Sequence, residues 1–571
     1  MAAGERTLGR PRAQTVGPAV GVEQLVLGGT ALVCLGLILY PLGILLVSMF
    51  RIDVFGQPSR WTLENFAFLV SDAMLSATAN TLLIALGATL LAGVIGVLLA
   101  WTGARTDMPA ARILEPLNLV PFFLSPYVGA IAWTYLAAPR SGLLNNLLRD
   151  VGIRGDPLSP YSLGGMIWVL GLFYVPYMYL FAVAPLRRMD AALEEAARTA
   201  GCGVWYVVRR VTLPLALPGI LSGAIIVFVS AAGEFGVPLA LGHPTGQETL
   251  TTQIFVLTED LPAKYNRAAA AGAVLTVLSI VCVWVQRRLI ARRDFTTVTG
   301  KTTAPRRMRL GRWRWAALVF NLAYLLVAVV LPIGALLLVA TSRSWTGEFS
   351  AARLTFDHFA YAFQSPVSRA GIVNSLVLAI GGASVGVVIG LVLGYVIHRT
   401  RARGRATLDI LTTIPIGVPG IVLALGVLLA YIRTPLYATL WILLIGYLSR
   451  YMPYGQRSVS SVLLSLSPEL EQSARVIGLS WLQTVRRIIV PLVWPGMASA
   501  WLLLFVLFIR ELPISLLLYQ SGSEVLPVAI WRFVENESAT RAAALALIQV
   551  VVLLGAVSIF RRLTGSTDLL S

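Results

Sequence analysis

The sequence predicts an all-α polytopic membrane protein of about twelve transmembrane helices, arranged as two tandem repeats of six. Three observations carry this. Of the 571 residues, 57% are hydrophobic and only 13% charged, and the mean hydropathy is +0.78. A water-soluble chain of this length has too few interior positions for that much apolar surface. The apolar residues also fall in runs of about 20, the length that crosses a bilayer. Finally, the second half of the chain repeats the first.

The expected spans of the first half are 25–50, 80–102, 113–137, 162–186, 217–241 and 268–290. Those of the second are 316–341, 374–398, 408–432, 438–459, 493–519 and 542–560. The first run follows Arg6, Arg10 and Arg12, but it is too long for the apolar part of a signal peptide and reads as a retained helix. The expected division is a tail at 1–24, a first half at 25–290, a basic linker at 291–315, a second half at 316–562 and a tail at 563–571. The linker is polar, and reads as a solvated connector near anionic lipid.

Net charge is +18. In a soluble protein this would suggest nucleic acid. Here most Lys and Arg lie on the side that holds both ends of the chain, the Arg105/Arg112 loop, the 187–210 and 457–487 loops and the linker. The positive-inside rule makes that side cytoplasmic, with both termini there. No nucleic-acid partner is implied. Cys34, Cys202 and Cys282 are too few and too far apart for a disulfide framework, and His243, His358 and His398 form no ligand motif.

The repeat is direct. WTLENF at 61–66 resembles LTFDHF at 354–359, and NTLLIALGATLLAGVIGVLLAW at 80–101 resembles NSLVLAIGGASVGVVIGLVLGY at 374–395. The second pair is offset by 294 residues, and Pro121 matches Pro415 at the same offset. Ala88, Ala92, Gly96 and Ala100 match Gly382, Gly386, Gly390 and Gly394, a small residue at every fourth position, which reads as a helix-packing seam. Further on the offset becomes 277, matching LEEAAR at 193–198 with LEQSAR at 470–475, Gly201 with Gly478, Pro214 with Pro491 and Glu234 with Glu511. The change of offset implies a longer outer loop in the first half, near 139–160. The halves should form a pseudo-dimer with a pathway along the axis between them.

Two matched loops, at 190–214 and 467–491, lie on the cytoplasmic side between the fourth and fifth spans of each half. LEEAAR and LEQSAR read as short helices with small residues on one face, which lets another protein approach closely. Gly201 and Gly478 permit a turn that a larger residue strains. Arg209/Arg210 and Arg486/Arg487 then meet the membrane interface.

These loops resemble the Glu-Ala-Ala…Gly…Ile-x-Leu-Pro pattern of binding-protein-dependent ABC importer permeases, the type I architecture. The first copy matches at Glu195, Ala196, Ala197, Gly201, Leu213 and Pro214, with Val211 in the Ile place. In the second, Gln472 replaces Glu, Ser473 replaces the first Ala and Val490 replaces Leu, while Ala474, Gly478, Ile488 and Pro491 hold and Glu471 keeps a carboxylate one residue away. The resemblance implies that each loop is a coupling helix seated in a cleft of a homodimeric ABC ATPase, which binds ATP-Mg. It also implies a docked solute-binding protein and alternating access, with unequal engagement of the two ATPase subunits. This chain has no GxxxxGK[ST] phosphate loop, so no catalytic residue, metal or cofactor is assigned to it.

Glu234 and Glu511 lie inside expected spans, each followed within four residues by a helix-breaking proline, Pro238 or Pro513. Intramembrane charges are costly and face cavities or partners, so both are candidate pathway or gate residues. Arg510 is a further candidate, and a pair between Glu511 and Arg510 is the structural alternative. Arg450 reads as lying near a span end, able to snorkel to the interface.

Two fused halves in one chain resemble the ferric-iron importer permeases, as do FTTVTGK at 295–301, LGRW at 310–313 and REL at 510–512. Ferric iron is therefore the expected solute. Fused relatives for thiamine or 2-aminoethylphosphonate, and polyamine import, are the alternatives within this architecture. An ion-coupled secondary transporter would share the span count and internal repeats but lack the paired loops. A membrane enzyme would need convergent Cys, His or Asp clusters, which the sequence does not show.

Overall fold

A computed structural model describes residues 20–52, 59–153, 155–291, 308–347, 354–400, 403–536 and 538–564. The linker residues FTTVTGK and most of both expected tails lie outside them. Among the described residues nine helices are long and apolar enough to cross a bilayer, and eleven if two bent pairs each count as one span. The first half supplies Val26–Ser48, Asp72–Arg105, Leu163–Arg188, Val204–Ala232 and Tyr265–Val285. The second supplies Trp313–Thr341, Pro366–Arg399, Trp481–Ile509 and Ala539–Arg562.

Five expected spans differ, and those at 217–241 and 493–519 break at Gly233 and Arg510, where Val204–Ala232 and Trp481–Ile509 end. The run at 113–137 is not one rod but Ala111–Phe123 and Pro126–Ala137, bent by 96°. The run at 408–432 is Arg405–Gly417 and Gly420–Tyr431, bent by 113°. In each, the fixed φ and missing N–H of proline (Pro126, Pro419) stop the first limb. The run at 438–459 is a continuous 26-residue helix, Leu440–Ser465. It is the counterpart of Leu163–Arg188, but Arg450, Gln456, Arg457 and several serines make it too polar to stand out by composition.

The expected seam is a close contact. A Cβ on Gly390 would lie 3.0 Å from backbone atoms of Gly455 and Gln456, and one on Gly386 would lie 2.8 Å from Leu504. One on Gly96 would meet Met178 at 2.8 Å. The second span of each half therefore packs backbone-close against the fourth, which fixes the frame of that half.

The halves interlock. Tyr40–Ser48, from the first span, packs on Gly420–Tyr431 of the second half, and Leu331–Thr341 packs on Pro126–Ala137 of the first. Tyr431 donates to the Gly36 carbonyl (2.7 Å) and Tyr40 to that of Ala430 (3.2 Å). Each first span carries a π-bulge at the matching place, Leu35–Leu39 and Leu326–Val330. One hydrophobic core runs through both halves.

The longer loop of the first half, between its third and fourth spans, contains the helix Leu143–Asp150. Buried Asn145 ties it down, donating to the carbonyls of Ala137, Ala138 and Leu158 at 2.8 to 3.1 Å. Asn146 donates to the Gly347 carbonyl of the second half.

Candidate coupling and gating sites

Both matched loops fold alike. Asp190 caps Ala191–Thr199 by accepting from the Ala192 N–H (2.9 Å), and Ser467 does the same for the Glu469 N–H (3.3 Å). Each helix ends in a six-to-one bond, Cys202 N–H to Ala197 O and Leu479 N–H to Ala474 O. Gly201 and Gly478 sit in the left-handed region at φ +85° and +81°. A π-bulge comes next, at Val208–Thr212 and Val485–Ile489, placing Arg209/Arg210 and Arg486/Arg487 at its exposed side.

The small residues of the loops do not all face outward. Glu195, Ala196, Gln472 and Ser473 are exposed, Ala197 is half-buried and Ala474 is buried. Around them stand exposed apolar groups: Leu193 and Trp205 in the first copy, Leu470, Val476, Ile477 and Leu482 in the second. Leu213, Pro214 and Pro491 are exposed and Ile488 half-buried where the chain returns to the helix bundle.

Glu471 is not a displaced substitute for Glu195. It is the counterpart of Glu194 at the 277 offset, and both are buried. Glu194 accepts from Arg105 (2.5 Å) and from the Thr212 hydroxyl (2.6 Å). Glu471 pairs with Arg399 (3.7 Å) and accepts from Tyr395 (3.0 Å). The 294 offset makes Arg399 the counterpart of Arg105. Both arginines also reach the carbonyl that closes the fourth-span helix: Arg105 donates to Met189 O (3.2 Å) and Arg399 to Leu466 O (2.6 Å). Sequence reasoning gave Glu194 and Arg399 no role and did not pair Glu471 or Arg105 with a partner, although applying the two offsets to every charge matches the pairs.

Glu234 and Glu511 stand at helix breaks rather than inside the expected spans 217–241 and 493–519, because Val204–Ala232 and Trp481–Ile509 stop just before them. Each carboxylate caps the short segment beyond its break and holds a fourth-span tyrosine. Glu234 accepts from the Gly236 N–H (3.1 Å) and from Tyr174 (3.0 Å). Glu511 accepts from the Ile514 N–H (3.1 Å) and from Tyr451, the counterpart of Tyr174. The prolines lie just after each break, where they start the next short segment.

The arginines break the symmetry. Arg510 turns away from Glu511 and donates across the half boundary to Phe122 O, to Leu124 O (3.5 Å) and to Tyr177 (3.2 Å). Arg450 does not snorkel. It sits mid-helix and donates to Val418 O (3.1 Å). Leu124 and Val418 are counterparts at the two bends and both are buried, so each bend carbonyl is met by an arginine of the second half. The matching first-half positions are Phe173 and Gly233. Among the described residues no group of three or more His, Cys, Asp and Glu is placed to hold a metal ion.

Comparison with known proteins fits this arrangement. Residues 92–294 and 386–565 each match the family described as "Binding-protein-dependent transport system inner membrane component". The chain is 23% identical over 535 residues to the ferric transport system permease protein FbpB of Actinobacillus pleuropneumoniae, covering 93% of this chain and 76% of that one. It is 26% identical over 406 residues to an Fe(3+)-transport system permease protein of Haemophilus influenzae, covering 69% of this chain and 75% of that one. It is 31% identical over 220 residues to the molybdenum transport system permease protein ModB of Mycobacterium tuberculosis, covering 38% of this chain and 80% of that one. With two family matches, two interlocked six-helix halves and two matched loops, the chain belongs to the binding-protein-dependent transport system inner membrane components, as a multi-pass, two-half permease of an ABC importer.

Proposed function

We propose that this permease imports ferric iron, delivered by a solute-binding protein and driven by a separate homodimeric ATPase that binds ATP-Mg and docks on the loops at 190–214 and 467–491. Both termini, the linker and these loops then lie in the cytoplasm. The observation that carries the iron reading is that ferric transport permeases match the chain through both fused halves.

The docking surface is Glu195 and Ala196 with the half-buried Ala197 and with Gly201 in the first loop, and Gln472 and Ser473 with Gly478 in the second, where buried Ala474 packs inward beneath it. The exposed apolar residues beside them supply the area to bury. ATP binding draws the loops together and the halves rock about the axis. Glu234, Glu511 and Arg510 form the gate, since they join the fifth spans, the fourth-span tyrosines and the first-half bend. Opening that boundary has to part Arg510 from Phe122 and Leu124.

A second reading is an oxyanion. Two guanidinium groups stand at the helix bends, and a molybdenum permease matches part of the chain. The test is uptake into proteoliposomes holding the full complex with its binding protein. ATP-dependent accumulation of ferric iron, with none of molybdate, is the expected result; the reverse replaces iron by an oxyanion and leaves the permease assignment standing. Glu234→Gln and Glu511→Gln should each slow uptake, and full transport in both removes them from the gate.

A further inference from the structure

We propose that Arg105–Glu194 and Arg399–Glu471 are the mechanical joints of the importer, positioning residues through which motion of the ATPase-docked helices reaches the second and fourth spans, and that the first joint is the stiffer. The inference rests on the loops being the ATPase contact.

The geometry of each joint is three-way. Arg105 ends the second span Asp72–Arg105, and Arg399 ends Pro366–Arg399. From there each guanidinium reaches the final carbonyl of the fourth-span helix and the buried carboxylate of the loop helix. A cation is favoured at both helix C-termini it touches. The second and fourth spans are already locked backbone-close along the small-residue seam. A loop helix fixed to both therefore cannot tilt alone. Pulling it moves the span pair as one body.

The two carboxylates are set apart from their neighbours by the way they face. Glu195 and Gln472, which begin the family pattern, are exposed, whereas Glu194 and Glu471 face inward. The arrangement also recurs in both halves although the third partner differs: Thr212 in the first, Tyr395 in the second, where Thr212 has become Ile489. Preservation of the pair with a changed supporting residue is what a shared mechanical task requires.

The joints are unequal. The first ion pair is 2.5 Å long and the second 3.7 Å, although each joint leaves one buried polar atom without a hydrogen-bond partner, Arg105 Nε in the first and Glu471 Oε1 in the second. The first is also strapped by the far end of the fusion linker. Met308 donates to Arg105 O (2.7 Å) and accepts from the Asp107 N–H (3.1 Å), while the Leu310 N–H donates to the Asp107 carboxylate (2.8 Å). Met308 is buried in this position.

The test uses the full chain assembled with its ATPase and binding protein in proteoliposomes. Glu194→Gln and Glu471→Gln keep shape and an acceptor oxygen but remove the charge. Both side chains face away from the docking surface, so the ATPase still co-purifies. The expected result is a fall in solute moved per ATP hydrolysed, on the order of tenfold for Glu194→Gln and less for Glu471→Gln. Wild-type ratios in both variants overturn the joints, and a larger fall in Glu471→Gln overturns the ranking. Variants that do not assemble are bypassed with spin labels at Ala104→Cys and Thr199→Cys, in a chain with Cys34, Cys202 and Cys282 replaced. That distance should stay fixed between nucleotide-free and ATP-trapped states while the distance from Thr199→Cys to Val476→Cys changes. Equal change in both distances overturns the proposal. A fixed distance between the two loops, or a wild-type chain that fails to retain the ATPase, instead overturns the docking reading on which it rests.

Discussion

At the scale of residues, the two halves share side chains where each makes the same polar bond. Asn80 donates to Glu248 O (2.9 Å) and Asn374 to Glu524 O (2.8 Å). Next to them, Thr81 and Ser375 accept from the N–H groups of Leu250 and Leu526. The repeated NT and NS of the sequence are thus clamps between the second span and the segment before the sixth. Glycine matches have two causes. At Gly201 and Gly478 the backbone itself demands it, since φ is positive and a Cβ would meet nothing within 4 Å. Gly201→Ala should cost about 1–2 kcal/mol of local stability through strain alone. Faster proteolysis of the loop in the otherwise intact chain is the expected measurement. At Gly390 the demand is space. Gly390→Leu has to push apart the second and fourth spans and should cost about 1–3 kcal/mol, read as a lower unfolding temperature in detergent.

At the scale of elements, the bent third spans create a problem that two arginines solve. A bend inside a bilayer frees backbone carbonyls, which must be met from within the protein. Arg450 meets Val418 O and Arg510 meets Leu124 O and Phe122 O. Arg450→Met and Arg510→Met should each leave a buried acceptor unpaired, at about 1–3 kcal/mol. Arg510→Met should also loosen the contact between halves, whereas Arg450→Met acts inside the second half. Cross-linking across the boundary separates the two: a change with Arg450→Met and none with Arg510→Met contradicts the assignment. The bends were not legible from hydropathy, because an apolar run reads the same straight or folded. Pro121 and Pro415, matched in the repeat, lie near the bends, but the turns fall a few residues later, at Leu124 and Val418. The fourth span of the second half was legible as an apolar run at 438–459, but the place of Arg450 in the middle of Leu440–Ser465 was not, since the sequence reads it near a span end.

At the scale of the whole molecule, the fused halves are bound by more than the linker. Each first span packs on the other half's bent third span, Tyr135 donates to Ala539 O (2.9 Å), and Met308 pairs with the end of Asp72–Arg105. Two halves co-expressed with a break between 292 and 307 should therefore find each other and transport solute. Halves that purify apart would mean that covalent fusion holds the assembly. The two loops differ in the apolar surface they present: Val476 and Ile477, 86% and 75% exposed, stand where the first loop has Thr199 and Ala200. Val476→Thr with Ile477→Ala should make the two ATPase contacts more alike and weaken retention of the ATPase at high detergent.

The sequence by itself determined the membrane class, the two-half plan, the place of both loops and the equivalence of Glu234 with Glu511. These depend on hydropathy and on residues recurring at fixed offsets, both of which are properties of the chain alone. Tertiary structure decided the rest: that two spans fold back on themselves, that the first spans exchange between halves, that Arg510 crosses to the first half instead of pairing with Glu511, and that Glu194 rather than Glu195 is the buried carboxylate of the loop. Each of these turns on which face of a helix meets which neighbour, and an apolar stretch in lipid carries no polar–apolar alternation strong enough to say so in advance.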